Sequence, residues 1–170
     1  MPATPLTDLD LVFATDLDGA LAESPREQLQ DDHDAQRALC AELEQIADLL
    51  PALPPPARIR RVCAQIDCVT SSHFRRAEAI LAGLAAGSRG AVHAPLLPSL
   101  TEMHALDAVH GQDLVAVLWD STARGAVERP GELGYMLRCF FDGCHRAIAF
   151  KDMLLLLLDD GAGEQPAGLH

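Results

Sequence analysis

From about residue 24 onward, apolar residues recur every three to four positions, a spacing that predicts amphipathic helices rather than strands. Ser24-Pro25 reads as a helix start, a capping hydroxyl followed by proline at the first helical position. The stripe Leu29, His33, Cys40, Leu43, Ile46 and Leu50 follows, with Gln36 a polar member beside His33. Pro51-Ala-Leu-Pro-Pro-Pro56 cannot continue a helix and predicts a stiff connector. A second helix carries Ile59, Val62, Ile66, Val69, His73, Ile80 and Leu84 and ends near Gly87. Residues 87–98, rich in Gly, Ser and Pro, read as a loop. Ser99 is the expected cap of a third helix with Leu100, Met103, Asp107, Leu114 and Val117 inward, ending between Ser121 and Gly125. Pro130 opens a fourth, with Leu133, Leu137, Phe140, Cys144, Ile148 and Leu155 inward.

Four amphipathic helices joined by mostly short links predict an all-α, up-down-up-down four-helix bundle over residues 24–158. Residues 1–23 are expected to form an irregular N-terminal arm, and the acidic, glycine-containing residues 159–170 a flexible tail. Aromatic residues make up only 4% of the chain, so Leu, Ile, Val and Ala must fill the interior, with Trp119 at one end of the core.

Composition narrows the functional classes. At 170 residues and 49% hydrophobic content, the chain suits one domain with a real core. Twenty-five acidic against 13 basic residues give a net charge of -12, which repels nucleic acid and anionic membranes. The five cysteines form no C-x-x-C pair and read as reduced, mostly buried thiols of a cytoplasmic protein. The N-terminal residues lack a signal-peptide pattern, and apolar runs such as Met153 to Leu158 are too short to span a bilayer.

The chemistry centres on three histidines. His33, His73 and His104 each lie on the apolar stripe of a different helix. Counting outward from the connecting loops places His33 and His73 at one height, His104 near it, and Ala147 opposite on the fourth helix. Asp107 lies one turn from His104, and His110 another turn along. His145 sits on a neighbouring stripe of the fourth helix with Asp152. A single core histidine is usually a satisfied structural residue, but three in one layer reverse that preference. Imidazoles and carboxylates inside a bundle are ligands for iron, manganese or zinc, and a metal would replace their lost hydration. The rival is a hydrogen-bonded His/Asp network that specifies packing without metal. Arg60-Arg61 and Arg75-Arg76 read as solvated faces rather than an anion site.

Across residues 24–158 the chain resembles the hemerythrin-like (HHE cation-binding) domain. The resemblance rests on Asp32-His33-Asp34-Ala35-Gln36-Arg37-Ala38-Leu39-Cys40, read as D-H-x-x-Q-R-x-L-C. It also rests on His73-Phe74, on Glu102-Met-His104-x-x-Asp107, and on the run from Leu137 to Phe141 continued by Ile148-Ala-Phe150-Lys-Asp-Met. It implies a bundle holding a non-haem di-iron centre with histidine ligands and bridging carboxylates. Such domains are associated with dioxygen binding, oxygen or nitric-oxide sensing, iron handling or iron–sulfur repair.

The ligand set departs from that family pattern. Ala77 stands where H-x-x-x-E requires glutamate after His73, and Glu78, one residue on, points about 100° away on an α-helix. Ala108 stands four residues after His104. On the fourth helix, Ala147 and Lys151 replace the expected histidine and glutamate, and an inward lysine would repel a cation, while Asp152 matches an acid common in the family. The expectation is therefore fewer than two iron (or other transition-metal) ions, or none. A mononuclear site would draw on His33, His73 and His104 with one of Asp107, His145 or Asp152, and dioxygen or nitric oxide as the small ligand. Without metal, the chain would be a helical interaction module. Both are binding or sensory modules rather than enzymes.

A second motif competes. Residues 11–21, Leu-Val-Phe-Ala-Thr-Asp16-Leu-Asp18-Gly19-Ala20-Leu21, resemble motif one of haloacid-dehalogenase-type phosphatases. There Asp16 would be the nucleophile and Asp18 the general acid/base beside Mg²⁺, with Lys151 and Asp159-Asp160 as later elements. That fold alternates strands and helices, whereas only this first run reads as a strand.

Overall fold

The computed structural model describes residues 24–87 and 90–163. It contains α1 (Pro25–Leu49), α2 (Pro56–Cys68), a π-helical turn (Val69–His73) running directly into α3 (Phe74–Ala85), a 3-10 segment (Gly90–Leu96), α4 (Leu97–Arg124) and α5 (Pro130–Gly163). With α2, the π-turn and α3 forming one rod, the described residues make an all-α bundle of four rods. α1 and α4 each pack against the α2–α3 rod and against α5 but not against each other, so they occupy opposite corners. Among the described residues, no helix is long and apolar enough to cross a membrane. Asp16 and Asp18 lie outside the described residues, and residues 24–87 and 90–163 contain no strand from which a phosphatase α/β core could be built.

Local chemistry explains the helix ends. Ser24 Oγ accepts from the Glu27 backbone N–H at 3.2 Å while Glu27 Oε2 accepts from the Ser24 N–H at 2.7 Å, a reciprocal capping box with Pro25 behind it. Ser99 does not cap the third rod. The 3-10 segment carries the chain straight into α4 at Leu97, with Pro98 in the first turn, where its missing N–H costs nothing. Gly125 closes α4 in the left-handed region at φ 67°.

The π-turn changes the register of the second rod. In an unbroken α-helix, Val69, His73, Ile80 and Leu84 would continue the inward stripe. Instead the buried series is Ile59, Val62, Cys63, Ile66 and Val69, then Phe74, Ala77, Leu81 and Ala85. The wider turn takes up one extra residue, so everything after it shifts by about one position. Its sequence, Val-Thr-Ser-Ser-His, favours this: Thr70 Oγ1 donates to Ile66 O at 3.0 Å and Ser71 Oγ to Asp67 O at 2.5 Å, loosening the α-helical ladder.

Two apolar clusters form along the bundle. The larger joins Leu39, Leu43 and Ile46 of α1, Ile59 and Ile66 of α2, Leu114 and Leu118 of α4, and Leu137 and Phe140 of α5. The smaller joins Leu29, Ala77, Leu81, Leu100 and Leu154. Trp119 belongs to neither and is exposed, so it does not close one end of the core. Leu154 rather than Leu155 is the fully buried leucine near the end of the α5 stripe. Between the clusters lie buried polar groups: Asp32, His33, Gln36, His104, Asp107 and Lys151.

Candidate functional site

All four rods contribute to this polar layer. α1 supplies Asp32, His33 and Gln36, the α2–α3 rod His73 and Glu78, α4 His104 and Asp107, and α5 Lys151 and Asp152. Each of the three histidines has a carboxylate at its Nδ1. His104 Nδ1 lies 2.7 Å from Glu78 Oε1, His33 Nδ1 3.0 Å from Asp152 Oδ1, and His73 Nδ1 3.4 Å from Asp32 Oδ1. Only the His104 contact has hydrogen-bond geometry; at the other two, Nδ1 lies close to a carboxylate oxygen without a hydrogen bond. A carboxylate at Nδ1 favours the proton on that nitrogen and leaves the lone pair on Nε2. Nε2 of His33 and of His104 is buried without a hydrogen-bond partner, whereas Nε2 of His73 meets Cys68 Sγ at 3.4 Å. Phe74 stacks flat on His104, with ring centroids 4.1 Å apart, and fixes the plane of that imidazole.

Lys151 dominates the electrostatics. Its side chain is fully buried, and Nζ donates to Gln36 Oε1 at 3.2 Å. Burial pulls its pKa down to about 8, partly offset by Cys144, Asp32 and Asp152, so at neutral pH it is still a cation. Its field reaches all three imidazoles. Burial and then Lys151 lower His33 to about 4, against the opposing pull of Asp152. Burial lowers His73 and His104 as well, with Lys151 adding to the effect while Asp32 and Glu78 oppose it. Burial raises Asp107, opposed by Arg146, His110 and Lys151. The layer at pH 7 thus holds neutral His33 beside a lysine ammonium.

Several expected residues fall elsewhere. His145 is exposed and meets Phe141 edge-on, 6.3 Å between centroids, outside the polar layer. Asp152 is half-exposed and backs His33 from the rim, where Arg37 also reaches it at 3.4 Å. Asp107 is buried against α5 at Gly143, where a Cβ would stand 2.8 Å from Asp107 Cγ. Glu78 does not point away: it partners His104. Arg76 is more than a solvated face, because it clamps Asp32 through two nitrogens, one of them at 2.8 Å. Sequence reasoning missed the carboxylate roles of Asp32 and Glu78; the Asp32-His33 dipeptide was the available signal for the first.

These residues do not fit a resident metal. Among the described residues, no three imidazole, thiol or carboxylate groups converge closely enough to hold an ion. Ala77 and Ala147 are fully buried at positions where the family resemblance calls for ligands, and the Lys151 ammonium enters the same interior. A second cation there would meet direct repulsion in a low-dielectric medium. Comparison of the chain with protein-family models, curated proteins and solved structures yields no match.

Proposed function

We propose that this chain is a metal-free binding module built on a hemerythrin-like bundle, with the Lys151 ammonium standing where that family holds its cation. The observation that carries the reading is the complete burial of Lys151, bonded to Gln36 and acting on three imidazoles. A tethered ammonium supplies positive charge to the layer but cannot coordinate dioxygen or nitric oxide. The function therefore rests on partner binding by the helical surface, with the polar layer fixing how the rods associate.

The three carboxylate-backed histidines favour a second reading, a mononuclear transition-metal module, because such backing orients imidazole ligands. One experiment separates the two. Untagged protein is loaded anaerobically with Fe(II), and separately with Zn(II), then desalted and its metal content measured. The proposal expects far less than one ion per chain and no thermal stabilisation by metal. One ion per chain, lost in His33→Ala and His104→Ala, would overturn it.

A further inference from the structure

The π-turn creates a second constellation at the edge of the bundle. Cys68 and His73 are five residues apart, which on an α-helix separates side chains by about 140°. Across the π-turn they meet instead, Sγ to Nε2 at 3.4 Å. Behind the imidazole, His73 Nδ1 lies 3.4 Å from the buried Asp32 carboxylate, which Arg76 holds in place. Cys68 is exposed, while Cys40, Cys63 and Cys144 are buried and Cys139 is half-buried. Nucleophile, base and carboxylate thus stand in sequence, with the nucleophile the most open to solvent.

We propose that Cys68, His73 and Asp32 form a thiol-reactive site for low-molecular-weight disulfides. His73 Nε2 takes the Cys68 proton, and Sγ attacks one sulfur of the disulfide RS–SR. A Cys68–S–SR bond forms as the RS–SR bond breaks, and the departing thiolate collects the proton from His73, leaving RSH. Asp32 is the positioning residue: its carboxylate, 3.4 Å from Nδ1, favours the proton on that nitrogen and leaves Nε2 free to act as base.

The test uses the full chain with oxidised glutathione in the presence of EDTA, so that adventitious metal plays no part. Mixed-disulfide formation is followed at each cysteine by peptide mass mapping. Cys68 should react fastest, and faster than the same cysteine in the urea-unfolded chain. His73→Gln should slow Cys68 about tenfold or more, the scale of a lost general base, with helix content unchanged. Asp32→Asn should slow it less. An unchanged rate in folded His73→Gln overturns the proposal. So does a folded Cys68 no faster than the unfolded one, a result that needs no variant to fold.

Discussion

The large apolar cluster around Phe140 and the polar layer around Lys151 share the same four rods but stabilise them very differently. In the cluster, Leu43, Ile46, Ile59, Ile66, Leu114 and Leu118 are wholly withdrawn from water, each contributing about 1.5–3 kcal/mol by transfer. Further along the same rods, the layer buries a lysine and two histidines. It leaves both nitrogens of His33, Nε2 of His104 and Nε2 of Gln36 without hydrogen bonds. Unmet polar groups of this kind cost about 1–3 kcal/mol each. The cluster holds the fold together; the layer draws on that stability.

The comparison is broken most severely by truncating the cluster. Phe140→Ala, which also removes the ring seated on Gly111, should lower unfolding free energy by about 3–5 kcal/mol in urea titration. Lys151→Met at pH 7 should go the other way, from neutral to about 1–4 kcal/mol more stable, because burying a charge costs more than burying a thioether.

Next in size are two pH windows. His33 is lowered from 6.5 to about 4, so between those values the unfolded chain binds the proton that the folded chain refuses. Stability is full above pH 6.5 and falls as pH drops toward 4, by about 3 kcal/mol. Lys151 is lowered from 10.5 to about 8. From pH 8 to 10.5 the folded chain has shed the proton and the unfolded chain keeps it, so stability rises by about 3 kcal/mol. Chemical denaturation across pH should show both slopes, and Lys151→Met should remove the upper one.

Smaller effects sharpen the boundary of the layer. Gly143→Ala drives a methyl into the buried Asp107 carboxylate. It should destabilise by about 1–3 kcal/mol despite alanine's better helix propensity. The double variant with Asp107→Ala should recover most of that loss. Ser24→Ala removes the capping box and should cost about 1 kcal/mol, leaving both pH windows unchanged.

Much of this was legible in the chain. Apolar spacing marked four rods and the Ser24-Pro25 start, because helical periodicity is a local property. Lys151 at an inward position was legible for the same reason. The π-turn was not, since one extra residue in a turn leaves the composition of the stripe almost unchanged. Its consequences, Phe74 replacing His73 in the core, Glu78 reaching His104 and Cys68 meeting His73, therefore stayed hidden. The pairing of His33 with Asp152 joins the first helix to the last, a contact that depends on rotation of both rods and that no local pattern encodes.

The central claim is that a buried lysine cation occupies the interior of this layer, and its side chain can be watched directly. The ¹³Cε resonance of Lys151, assigned with Lys151→Met and titrated in metal-free protein, should show a midpoint near pH 8. A midpoint at the ordinary 10.5 would place the ammonium in water and contradict the account.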